Sequence, residues 1–154
     1  TMKQCELDLK AWILSSEHVD FDDISSNYIL SEEFIREFKD KLNFIEISKS
    51  QNLSMEFIEE FAEYLFLDFL FMYQKLSEAF IEKHAFFKSD WEKISLNQNL
   101  SKEFIIKHFD KLHLNLLVEN KNFKFGIEDI LLNINDEIVS FKENNVNPAD
   151  FITK

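Results

Sequence analysis

The 154-residue chain has one glycine, Gly126, one proline, Pro148, one cysteine, Cys5, and one arginine, Arg36. Each scarcity excludes something. Without glycine and proline there is almost no material for hairpins or linkers, so mostly helical structure is expected. A lone cysteine allows no internal disulfide and fits a reducing compartment. A single arginine leaves bidentate phosphate clamps nearly absent. With 17 basic against 29 acidic residues, a formal net charge of −12, direct binding to nucleic acid or to an anionic membrane surface is disfavoured. The most apolar segment, Phe61 to Tyr73, is 13 residues long and contains Glu63 and Asp68, too short and too charged to span a bilayer. The start, Met2 to Glu6, runs into acidic residues rather than an apolar run, so no secretory leader is expected and the expected location is the cytoplasm.

What is present is repetition. Leu-Ser-x-x-Phe-Ile occurs at Leu30 to Ile35, Leu53 to Ile58, Leu76 to Ile81 and Leu100 to Ile105, with steps of 23, 23 and 24 residues between the phenylalanines. Self-similarity at a fixed period marks a repeat architecture. Physically the motif is a helix start: the serine caps, the leucine before it and the isoleucine at N4 form a hydrophobic staple, and Glu32, Glu33, Glu56, Glu78 and Glu103 sit at the positive end of the helix dipole. Phe34, Ile35, Phe38 and Leu42 then follow one face of a 3.6-period helix. In the linking half, Asp20, Asn43 and Asp90 are placed to cap a second, shorter helix carrying an inward aromatic and isoleucine. Each unit is thus expected to be a helix of about three turns followed by one of about two. The expected fold is all-α, tandem helix-turn-helix repeats stacked as a short solenoid or compact bundle with capping helices.

One domain covers the whole chain on this reading. Residues 1–19 form an N-terminal cap with Leu7, Leu9, Trp12 and Ile13 on it, aligned so that Ala11 and Trp12 stand where Phe34 and Ile35 stand. Residues 20–114 hold the repeats, 115–143 a degenerate repeat and a capping helix striped by Ile127, Ile130, Leu131, Ile134, Ile138 and Phe141, and 144–154 a tail.

Catalytic signatures are missing: no glycine-rich phosphate loop, no Cys-x-x-Cys, no His-Glu-x-x-His and no Gly-x-Ser-x-Gly. No enzymatic activity and no cofactor are therefore expected. His84 and His108 share the repeat position held by Phe38 and Phe61, which allows a metal across stacked helices, but a position otherwise filled by phenylalanine favours a packing ring over a ligand. Asp20, Asp22 and Asp23 form an acidic cluster that lacks the glycine and distal glutamate of a calcium loop.

The third unit departs most from the others. Phe66 stands for Asn43 and Asp90, Phe69 for Glu46 and Lys93, Phe71 for Ser48 and Ser95, and Tyr73 for Ser50 and Asn97. A helix apolar on nearly all sides must be covered. The favoured expectation is burial under terminal helices; the other is an exposed aromatic patch for a partner or a second copy of the chain.

The full pattern, Leu-Ser-x-x-Phe-Ile-x-x-x-x-Asp-x-Leu-x-Trp-x-x-Ile-Ser-x-x-Gln, resembles short tandem repeats of phage and large DNA virus proteins. Gln51, Gln74 and Gln98 fill the glutamine place, Trp91 the tryptophan, and Asp40 and Asp110 the aspartate, while Tyr28 and Leu67 depart. The resemblance implies a viral or mobile-element origin and an interaction role, with no catalytic residue. The expected function is a non-catalytic binding protein, in its most specific form an acidic phage inhibitor of a host nucleic-acid-dependent defence enzyme, anti-CRISPR-like, whose carboxylates occupy a basic groove of a host protein. The alternative is a structural protein that self-associates, as a homodimer, through the third unit. Candidate partner-binding residues are Phe66, Phe69, Phe71, Tyr73, Asp20, Asp22 and Asp23.

Overall fold

The structure, a computed structural model, describes the backbone of residues 2–145 and the side chains of residues 2–136. All regular structure among the described residues is helical, and no helix there is long and apolar enough to cross a membrane.

The four motif serines act as caps. The hydroxyls of Ser31, Ser54, Ser77 and Ser101 accept from the amides of Phe34, Phe57, Phe80 and Phe104 at 3.2, 3.2, 3.2 and 3.1 Å. They start the first helix of each unit: α3 (Glu32–Glu37), α5 (Met55–Glu60), α7 (Glu78–His84) and α9 (Lys102–Lys107). The second helices are α2 (Phe21–Asn27), α4 (Phe44–Ser50), α6 (Leu67–Tyr73), α8 (Lys88–Asn97) and α10 (Leu114–Glu119), flanked by α1 (Gln4–Ser15) and α11 (Ile127–Asn145). In chain order α2 packs on α4, α4 on α6, α6 on α8 and α8 on α10, and α11 packs on α9. The leucine, phenylalanine and isoleucine of every motif are buried, as are Ile24, Ile47, Leu70 and Ile94 of the second helices.

The first helices are shorter than the periodicity implies, six or seven residues. In the first unit the chain leaves the helix at Phe38, and the amides of Lys41 and Leu42 close onto its carbonyl at 2.9 and 3.1 Å. Such a turn keeps the i to i+4 spacing, so Phe38 and Leu42 stay inward without a continuous helix. The register of the N-terminal helix also differs from expectation: Ile13 is buried and Leu9 partly so, whereas Leu7 and Trp12 are exposed. Glu6 sets that register, because its carboxylate accepts from the amides of Lys3 and Ser31. At the other end α11 continues through Asn145, beyond the expected start of the tail, with Ile130 and Ile134 buried and Leu132 exposed. The side chains of Ile138 and Phe141 and residues 146–154 lie outside the described residues.

Three sets of side chains tie each unit to the next. Gln51, Gln74 and Gln98, all buried, end the second helices. Their Oε1 atoms accept from the amides of Leu30, Leu53 and Leu76 at 3.0, 3.3 and 3.1 Å. Their Nε2 atoms donate to two carbonyls of the preceding unit: Ser25 and Tyr28, Ser48 and Gln51, Phe71 and Gln74, at 2.6–3.0 Å. Asn120 donates to Ser95 and Gln98 in the same way at 2.9 and 2.8 Å. Tyr28 departs from the pattern because no second helix precedes α2 for a glutamine to reach.

The buried serines form the second set. Ser25, Ser48 and Ser95 donate to the carbonyls of Phe21, Phe44 and Trp91, each at 2.6 Å, and accept from the amides of Asn43, Phe66 and His113 at 2.9, 3.1 and 2.9 Å. Phe71 has no hydroxyl to offer, and the chain answers by starting α8 a turn earlier. There the Asp90 amide bonds to the Phe87 carbonyl at 3.0 Å. Asp90 is consequently not the cap its alignment with Asn43 suggests; it lies inside the first turn and accepts from the amides of Phe86 and Phe87 at 3.0 and 2.9 Å. The extra residue of the 24-residue step and the serine-to-phenylalanine change thus fall at the same junction, between α6 and α8.

In the third set, a glutamate after one serine accepts the amide of the next serine: Glu32 from Ser54 and Glu78 from Ser101, both at 2.6 Å. Met55 breaks the series with a 3.4 Å contact from the Ser77 amide to its sulfur. A thioether is a weak acceptor, so Met55→Glu should stabilise the fold by about 1 kcal/mol, the net value of a hydrogen bond with a charged acceptor less the lost packing. A urea midpoint that does not rise would show that the sulfur already serves the amide.

Candidate interaction surface

The aromatics of α6 divide by face. At about 100° per residue, Leu67, Leu70, Phe71 and Gln74 share the inward side, and Phe66, Phe69 and Tyr73 share the next one. Leu70 and Phe71 are fully buried, which removes Phe71 from the expected partner-binding set. Phe66 is 46% and Tyr73 56% exposed, so the expected burial under terminal helices does not occur for these two, and Phe69 is half-buried. The three rings form a row, with centroids 6.4 Å apart from Phe66 to Phe69 and 6.4 Å from Phe69 to Tyr73.

The charges beside the row are paired. Lys49 Nζ lies 4.7 Å from the Phe69 ring centroid and 3.1 Å from Glu46 Oε1, and Lys93 Nζ lies 3.1 Å from Asp68 Oδ1. The surface is an apolar strip flanked by two partly exposed ion pairs.

The acidic cluster is not brought to this strip, and its carboxylates have local partners. Asp20 accepts from the Asp23 amide at 3.0 Å and so caps α2. Asp22 accepts from Asn43 Nδ2 at 2.8 Å and Asp23 from Asn27 Nδ2 at 2.7 Å.

The two aligned histidines each pack, tilted, against the phenylalanine four residues before, His84 on Phe80 with ring centroids 4.3 Å apart and His108 on Phe104 at 4.4 Å. Among the described residues no group of three or more His, Cys, Asp or Glu is arranged to hold a metal ion. Burial, and then the neighbouring Lys83, push the His84 pKa down. His108 Nε2 instead meets Glu82 Oε1 at 2.7 Å, the same oxygen that pairs with Lys107 Nζ at 2.7 Å. Hydrogen bonds from Lys107 and then His108 hold the Glu82 carboxyl below the usual carboxylate range.

A depressed carboxylate contributes stability that is present above its unfolded value and lost as pH falls through its folded one. The urea midpoint should therefore fall on acidification below about pH 4.5, the unperturbed value, and Glu82→Gln should flatten that fall. An identical pH profile for the variant would show that the pairing adds nothing in solution.

Three clefts escape sequence reasoning. One, of about 420 Å³, lies at the C-terminal ends of α6 and α8, where Gln74, Lys75, Asn97, Asn99 and Asn122 line it. A second, of about 330 Å³, adjoins it and shares Asn97 and Asn122. The third, of about 520 Å³, opens over Trp91 between Phe86 and Lys111. Phe86 and Phe87 are exposed at this corner. The 24-residue step was the one visible signal for the last cleft, since it marks where the corner had to be rebuilt.

No protein-family model, curated protein or solved structure matches the chain.

Proposed function

We propose that the protein is a non-catalytic protein-binding module built as a short open stack of helical units, with the Phe66, Phe69 and Tyr73 row as its contact surface. The exposed aromatic row carries this reading. The corresponding positions in the neighbouring units are polar, and large apolar side chains in contact on a surface mark interfaces more than folding needs. The chain-order packing of second helices and the glutamine links support the stack, because each unit then touches its neighbours in sequence.

The formal charge of −12 favours a partner of net positive charge, steered to the strip at long range and held there by apolar contact. A host protein with a basic nucleic-acid-binding groove has that charge, and a viral origin would put the module in its company. The acidic cluster is outside the proposed surface, since its carboxylates serve helix capping and side-chain bonds.

Phe69→Glu tests the reading. Phe69 is only half-buried, so the variant should keep its helical circular dichroism while a pull-down from host lysate loses the partner captured by the wild type. Equal capture by both proteins would remove the row as the contact surface. A wild type that captures nothing and sediments as a dimer, with the variant monomeric, would assign the row to self-association.

A further inference from the structure

We propose that the aromatic row and the adjoining carboxamide-lined clefts together bind an extended segment of a partner protein. Its apolar side chains, at alternate positions, would seat against Phe66, Phe69 and Tyr73, and its main chain would run on past Asn97, Asn99 and Asn122. This rests on the protein-binding reading and names the form of the ligand.

The first observation is a spacing. The two successive ring separations in the row are both 6.4 Å. An extended chain places every second side chain on the same side, about 6.4 to 6.8 Å apart. Rings at that repeat put one ring within reach of each alternate apolar side chain.

The second is what lies at the end of the row. Tyr73 is followed directly by Gln74 and Lys75, which form one wall of the 420 Å³ cleft, and α8, packed on α6, supplies Asn97 opposite, with Asn99 just past its end. Asn97 uses its Nδ2 on the Lys93 carbonyl at 2.8 Å, which leaves its Oδ1 as an acceptor. Asn122 uses its Nδ2 on the Asn97 carbonyl at 3.2 Å and likewise retains an acceptor. Asn99 is exposed. A carboxamide offers one carbonyl acceptor and N–H donors, the same groups as a peptide unit, and so is suited to main chain.

An amphipathic helix is the competing occupant. Its main chain is already hydrogen-bonded internally, and it docks through an apolar stripe in an apolar groove. Here the surface turns from aromatic to carboxamide within one helix length, which leaves the far half of a helical ligand without apolar contact. An extended segment uses both halves.

The probe is the capped hexapeptide acetyl-Leu-Lys-Leu-Lys-Leu-Lys-amide, whose lysines suit the acidic protein, compared with acetyl-Leu-Leu-Leu-Lys-Lys-Lys-amide of the same composition. Binding is followed by amide shifts in the ¹⁵N-labelled full chain. The alternating peptide should move the amides of residues 66–75, 97, 99 and 122 and bind about ten-fold more tightly than the permuted one. N-methylation of alternate peptide amides should weaken it, and Asn99→Ala should weaken it about five-fold, as expected for one hydrogen bond.

Equal affinity for the two peptides, no effect of N-methylation and Asn99→Ala, or no binding of the alternating peptide at millimolar concentration overturns the extended mode. The row still stands as a protein-binding surface in those cases if Phe69→Glu loses the lysate partner. If Phe69→Glu captures the partner as well as wild type, the underlying reading has failed too.

Discussion

Gln74→Ala is expected to lower stability by about 3 to 5 kcal/mol. The glutamine is 6% exposed and serves three main-chain groups at once: the Leu53 amide at 3.3 Å, and the carbonyls of Ser48 and Gln51 at 3.0 and 2.6 Å. Truncation removes all three partners and opens a space between α4 and α6. A buried main-chain group left without a partner costs about 1 to 3 kcal/mol, and water reaching one of the three would offset part of the sum. Against a total stability of about 5 to 15 kcal/mol, such a loss should visibly shift the urea midpoint. Tyr28→Gln is the control. It restores the repeat residue where no preceding second helix exists, and should change stability by no more than about 0.5 kcal/mol. A loss for Gln74→Ala below about 1 kcal/mol would mean that solvent replaces the side chain, and that the glutamines do not hold the units together.

Phe71→Ser should also be severe, although it installs the residue that three sister units carry, as Ser25, Ser48 and Ser95. Phe71 is fully buried, and cutting a core phenylalanine to a small side chain costs about 3 to 5 kcal/mol. The new hydroxyl would gain little in return. In the sister units it receives the amide of the residue that precedes the next second helix, but here the Asp90 amide is already bonded to the Phe87 carbonyl. A fall in melting temperature of about 10 °C is expected for a chain of this size. The two features should also be coupled. Deleting one residue between positions 85 and 88 returns the step to its usual length, so the double change should cost less than the two single changes added. Strict additivity would show that the longer α8 and the buried ring are independent.

How much was readable follows from how local each cause is. The helix starts were legible because a cap is a bond between residues three apart, Ser31 to Phe34 and its three counterparts. The inward face was legible because Phe34, Ile35, Phe38 and Leu42 keep their spacing whether helix or turn carries them. Helix length was not, since a continuing helix and a closing turn place the same residues inward. The glutamines were visible as a repeated letter but not as a link, because their partners lie 21 to 28 residues away. The register of α1 was misjudged for the same reason: its anchor is the bond from the Ser31 amide to Glu6, across 25 residues.

The candidate surface shows the division most clearly. Residue types and spacing were enough to show that the third unit is aromatic where its sisters are polar, that the chain is helical, and that it carries a large negative charge. That Phe71 enters the core while Phe66, Phe69 and Tyr73 line the surface follows from helix packing alone. One helix can bury only the sides its neighbours touch, and α4 and α8 touch α6 on the side of Leu70 and Phe71. The packing likewise brings Asn97, Asn99 and Asn122 to the cleft that Gln74 and Lys75 wall, because residues more than twenty positions apart meet only where the helices pack.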